Sequence, residues 1–163
     1  MRNLLEAYAF LEKQTPFKGD CGELCNSACC YADSTTGMKL LPGEESLMAN
    51  VEGFTVFDSE HGKTLVCRGS CDRAKRPLAC RMFPLFPFVK KDSLGRVSVT
   101  VGFDPRANIC PIARQEIIPD YRFVRAVRRA GRSIIRSEQG LRYMLELTGE
   151  LCEISELKAL LSE

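Results

Sequence analysis

The chain has 163 residues, 45% of them apolar and 27% charged, and a net charge of +2 at pH 7. That length is enough for one domain with a real core, and the composition excludes a disordered chain. So small a net charge excludes capture of polyanions by the molecule as a whole. Nine cysteines against one histidine is the compositional outlier. Secreted disulfide scaffolds are usually shorter and follow a leader peptide. Here Glu6 and Glu12 interrupt any apolar leader core, and no apolar run is long enough to span a membrane. The expectation is therefore a cytoplasmic, non-membrane protein whose clustered thiols are metal ligands rather than disulfides.

Leu4, Leu5, Ala7, Tyr8 and Leu11 recur at helical spacing and predict a first helix over 2–13, ended by Thr15-Pro16 and Lys18-Gly19. Cys21, Cys25, Cys29 and Cys30 follow. Asp20 and Glu23 have capping-box spacing, but Gly22, Asn26 and Ser27 are weak helix formers. On a straight helix Cys21 and Cys29 would stand about 12 Å apart. Two sulfurs on one zinc can be no more than about 4.6 Å apart. Either the segment bends around one centre, or its thiols serve two, with Cys29 and Cys30 divided between them or between a ligand and the core.

Residues 36–41 read as extended, and Pro42-Gly43-Glu44-Glu45 opens a short helix to about Asn50. Phe54–Phe57 and Lys63–Val66 read as strands around a turn at His61-Gly62, which makes His61 an exposed turn residue. Cys67, Cys71 and Cys80 lie in a stretch that the prolines at 77 and 84 predict to be a rigid irregular coil. Phe83, Phe86 and Phe88 are expected to cover the thiols and fill core. Residues 88–91 and 96–101 predict a hairpin, with Val97, Val99 and Val101 on its buried face. Cys110 precedes Pro111, so its backbone is expected to be extended, suited to pointing a side chain back at a cluster.

From Pro119-Asp120 the pattern predicts helix to about Thr148, with Phe123, Val124, Val127, Ile134, Ile135, Leu141, Met144 and Leu145 as the core stripe. Gly131 and Gly140 are candidate points of division. Thr148-Gly149 reads as a C-cap, with a last helix over about 154–161. Cys152 reads as a small buried hydrophobe. The whole is expected to be α+β: one domain over 1–163, with an irregular cysteine-cluster core at 20–112 carrying short β-hairpins. That core packs against the N-terminal helix and a helical C-terminal segment at 113–163.

Cys21, Cys25, Cys29, Cys30, Cys67, Cys71, Cys80 and Cys110 are the candidate metal ligands. An all-thiolate set selects zinc or iron, the latter also as an Fe–S cluster, in one or two sites. The spacing differs from the Cys-x3-Cys-x2-Cys of radical S-adenosylmethionine enzymes. A Cys–His nucleophile lacks its base, since the one histidine is in a turn. Arg122, Arg125, Arg129, Arg132 and Arg136 recur on one helix face and make either a solvated surface or a contact for nucleic acid or acidic protein.

The cysteine pattern, with Arg76-Pro77-x2-Cys80-Arg81-x-Phe83-Pro84 as its most specific part, resembles the YkgJ-like, or CxxCxxCC, family over residues 20–112. The first group departs in spacing, with gaps of three where the family name has two. The resemblance implies a zinc- or iron-chelating protein with eight motif cysteines, in a structural or redox role. Members similar to flagellin lysine methylases imply an alternative, an Fe–S-dependent protein-modifying enzyme. No separate nucleotide-binding signature accompanies that alternative here.

Overall fold

A computed structural model describes residues 1–19, 21–30, 37–59, 62–69 and 71–161. It is α+β, with short helices, two small antiparallel sheets and two long C-terminal helices. Asp20 and His61, on which the expected helix cap and exposed turn rest, lie outside the described residues.

Helix α1 (Arg2–Leu11) buries Leu4, Ala7 and Leu11, as its apolar spacing predicts, and leaves Leu5 outside. Two short helices follow, α2 (Gly22–Cys25) and α3 (Glu45–Met48). Strands β1 (Met38–Lys39), β2 (Phe54–Ser59) and β3 (Gly62–Cys67) form one sheet in the order β1-β3-β2, with Val56 opposite Leu65. Its underside is a small cluster of Leu40, Met48 and Leu65.

The stretch expected to be coil contains a helix, α4 (Leu78–Met82), which starts directly after Pro77. Proline suits that boundary because its φ is preset and its missing N–H costs the helix nothing there. The expected hairpin forms from β4 (Leu85–Lys91) and β5 (Val97–Phe103), with Val89 opposite Val99. Val99 is buried and Val101 half-buried, but Val97 is 38% exposed. Alternation places all three on one face, yet Val97 lies at the hairpin's outer end, beyond the helices that cover the middle.

A short helix α5 (Pro111–Arg114) leads to α6 (Tyr121–Ile134), whose first turn is capped by Asp120 Oδ1 accepting from Arg122 N at 2.7 Å. The last helix is α7 (Glu138–Leu160), a single run of 23 residues. This corrects the expected arrangement in two places. The break falls at 135–137, where Ser137 Oγ accepts from Gly140 N at 3.1 Å and starts a new helix. Thr148-Gly149 ends nothing, because the buried Thr148 hydroxyl instead accepts from Val89 N at 3.0 Å.

The main core lies between α1, α6, α7 and the β4–β5 hairpin, with Phe123, Val127, Met144 and Leu151 fully buried. Complete burial of a side chain of this size stabilises by about 1.5–3 kcal/mol. A Cβ at Gly131 would fall 2.6 Å from Pro87 Cβ, so the glycine is what lets α6 approach the hairpin closely. No helix among the described residues is long and apolar enough to cross a membrane.

Candidate functional site

The thiols are presented by four separate pieces of chain. In the first, α2 stops at Cys25 because Asn26 and Ser27 adopt left-handed conformations, φ 50° and 54°. Asparagine tolerates that conformation better than most residues. A tight 3-10 turn then carries Cys29 and Cys30. The straight four-residue stripe is thereby excluded, and the segment bends between Cys25 and Cys29.

In the second piece, β3 ends at Cys67, and Cys71 follows four residues on. Gly69 has φ 86°, and a Cβ there would lie 3.2 Å from the Cys30 carbonyl oxygen. Gly69 therefore rests against the backbone of the first piece. Cys80 projects from α4, the third piece. Cys110, the fourth, caps α5 with an extended backbone, φ −84° and ψ 120°, as its position before Pro111 predicts. It packs with Ala107 and Ile112, beside Phe17, Cys21 and Phe83.

Two cavities lie against these pieces. The smaller, about 110 Å³, is lined by Cys21, Cys25, Cys29, Cys80 and Cys110. The larger, about 370 Å³, is lined by Cys29, Cys30, Cys67, Cys71 and Cys80. Cys29, Cys80, Arg76 and Phe83 line both. All eight candidate ligands are thus gathered around adjoining spaces. Cys152 lines neither and is half-buried on α7, less covered than expected. None of the nine cysteines is in a disulfide. Among the described residues, no three His, Cys, Asp or Glu side chains stand at a spacing that holds an ion.

The thiols raise one another's cost of ionisation. Cys29 is pushed well above the ordinary thiol range by its hydrogen bond with Cys30, then by burial, then by the nearby Cys30, Cys21 and Cys25. Burial does the same to Cys80, reinforced by Cys71, Cys30 and Cys67. Burial also raises Cys71, against the opposing pull of the Arg76 guanidinium. A low-dielectric pocket disfavours each thiolate, and a neighbouring negative charge disfavours it further.

Of the two arginines in the motif, Arg76 belongs to the site. It lines both cavities, and its Nη2 donates to the Cys71 carbonyl oxygen at 3.4 Å. Arg81 is engaged elsewhere. It lies over the Tyr8 ring at 4.6 Å and donates to the carbonyl oxygens of Arg76 at 2.9 Å and Ala74 at 2.6 Å. Sequence reasoning missed Glu44, which is fully buried. Its carboxylate accepts from Leu41 N at 2.9 Å, from Leu78 N at 2.7 Å and from the Tyr8 hydroxyl. Leu78 N is the first amide of α4, so Glu44 caps the helix that carries Cys80. No local spacing could reveal this, since Leu78 and Tyr8 lie 34 and 36 residues away along the chain.

Arg122, Arg125, Arg129 and Arg132 of α6 are exposed, as is Arg128, while Arg136 lies past the end of α6 and is also exposed. Arg129 stacks on the Phe10 ring at 4.0 Å and Arg136 pairs with Glu6. Among the described residues, Arg125, Arg128 and Arg132 form no ion pair.

Comparison with protein-family models, curated proteins and solved structures finds no match to this chain.

Proposed function

We propose that this chain is a metal-binding cysteine-cluster protein that holds zinc or iron through thiolates. The observation that carries the reading is the convergence of eight cysteines, from four separated pieces of chain, on two adjoining cavities. The cavity linings favour a division into two sets, with the shared Cys29 and Cys80 falling one to each. Cys21, Cys25, Cys29 and Cys110 would hold one ion or cluster, and Cys30, Cys67, Cys71 and Cys80 the other. Cys29 and Cys30, though adjacent, then serve different centres.

The donor chemistry fits such an occupant. All eight donors are soft sulfurs, which select zinc, iron or cuprous ions over magnesium or calcium. A bound cation would also offset what raises the Cys29, Cys71 and Cys80 thiols: the hydrogen bond with Cys30 at Cys29, burial at Cys71 and Cys80, and the neighbouring thiols. Arg76, between the sets, would offset part of the net negative charge that a full thiolate shell leaves on a divalent ion. Ligation brings each sulfur to about 2.3 Å from zinc, so the side chains must close inward from their present positions. A closed zinc shell would supply structural cross-linking; an Fe–S cluster would supply electron transfer. The resemblance to the YkgJ-like family rests on these same cysteines.

Protein purified without oxygen is expected to contain about two zinc ions per chain, or several irons with a visible charge-transfer band, by elemental analysis and absorption. A folded, metal-free product whose eight thiols react uniformly with a thiol reagent overturns the reading.

A second reading is favoured by the α6 surface, where Arg125, Arg128 and Arg132 project without ion-pair partners among the described residues. It would suit nucleic acid or an acidic protein. Replacing these three by alanine is expected to weaken binding to a nonspecific duplex DNA probe and flatten its salt dependence. An unchanged affinity removes the idea. Arg129 is left intact in that experiment because its stacking on Phe10 is structural.

A further inference from the structure

We propose that the larger cavity is a binding site for a small, neutral, mainly apolar molecule carrying one hydrogen-bonding group. This goes beyond the metal reading and does not depend on it. The first observation is size. At about 370 Å³ the cavity falls in the range of small-molecule sites, roughly 300–1,000 Å³. An ion whose sulfurs lie about 2.3 Å away occupies only the thiol end of such a space. The smaller cavity, about 110 Å³, has no comparable surplus.

The second observation is the apolar part of the lining. Met38, Leu65, Met82, Phe86, Met144 and Leu147 belong to it. Three of these six are thioethers, flexible enough to mould to an apolar guest.

The third is charge. Lys39 and Arg106 on the cavity wall each have a carboxylate partner. Arg106 grips Asp104 through Nε at 3.0 Å and Nη2 at 2.7 Å, Lys39 pairs with Glu150 at 2.9 Å, and Arg76 donates to the Cys71 carbonyl. A charged guest would have to compete with these two ion pairs and would lose its hydration.

The fourth is Tyr143 on α7. It lines the cavity, and its hydroxyl makes no hydrogen bond among the described residues. Burial, with lesser help from Glu44, pushes its phenol up to about 12, so at neutral pH it is a neutral donor and acceptor. An apolar pocket with one such group orients a guest by a single polar contact.

The test is fluorescence titration of the full chain, as purified, with N-phenylnaphthylamine, a neutral probe that brightens in apolar surroundings. Saturable binding of about one probe per chain is expected. Met38→Trp, which fills the cavity, is expected to weaken it about tenfold or more. Tyr143→Phe, which keeps the shape, should weaken it several-fold with an unchanged melting temperature. Neutral naphthol should compete and naphthalenesulfonate should not. A titration without saturation overturns the proposal, as does binding indifferent to Tyr143→Phe or equal competition by the sulfonate. Repeating the titration after chelator treatment separates loss of this site from loss of metal.

Discussion

Glu44 has no sulfur, yet it holds in place the helix that presents Cys80. Its carboxylate satisfies two backbone amides and one phenol that lie in three different parts of the chain. Glu44→Ala would leave these donors without an acceptor, each at about 1–3 kcal/mol if it stays buried. Loss of about 3 kcal/mol or more is expected in urea unfolding, together with weaker metal retention at Cys80. The same residue makes a pH prediction. Burial raises its carboxyl above the ordinary 4.5, outweighing the hydrogen bonds from Leu78, Tyr8 and Leu41 that lower it. The folded state therefore holds this proton more tightly than the unfolded state. That contribution is complete below about pH 4.5 and is lost as the pH rises through the folded value. The stability of the natural protein relative to Glu44→Gln should thus grow as the pH falls, read from urea melts of metal-stripped protein over a pH series. A difference independent of pH would show that Glu44 is not held as described.

At the scale of elements, α7 is tied to the hairpin by one hydrogen bond that also explains its length. Val89 N points away from β5 and finds the buried Thr148 hydroxyl at 3.0 Å. A threonine followed by glycine reads locally as a helix end, but here the side chain serves a strand and the backbone continues. Thr148→Val keeps the shape and deletes the acceptor. It should destabilise by about 1–3 kcal/mol and speed hydrogen exchange at Val89, with helix content unchanged. A variant as stable as the natural protein would mean that water reaches Val89 N. The α6–α7 junction follows a similar logic: Ser137 starts the second helix, while Gly131 serves packing against Pro87 rather than division.

Across the whole molecule, apolar packing and thiols are largely segregated. The main core between α1, α6, α7 and the hairpin contains no cysteine. Cys67 and Cys110 belong instead to two small clusters, each with three fully covered members. Clusters so small supply few kcal/mol, and a domain's stability is a small difference between large terms. Stripping metal is therefore expected to expose the segments around 21–30 and 67–71 to protease while the α1–α6–α7 core stays folded. Limited proteolysis with mass spectrometry reads the cleavage sites, and circular dichroism reads the helices. Loss of all helical signal on chelation would show instead that the metal supports the entire fold.

The amino-acid order alone determined the elements whose signals are local. Periodicity predicted α1, alternation predicted the β4–β5 hairpin, and the backbone before Pro111 predicted the extended Cys110. It also determined the chemistry on offer, because cysteine content is a property of composition. Tertiary structure decided what depends on distant partners. It placed the eight thiols around adjoining cavities, set Glu44 against Leu78 and Tyr8, separated Arg76 from Arg81 in role, and carried α7 through Thr148. Local propensity is a property of a few consecutive residues, whereas each of these outcomes is set by which groups far along the chain come within hydrogen-bonding or packing distance.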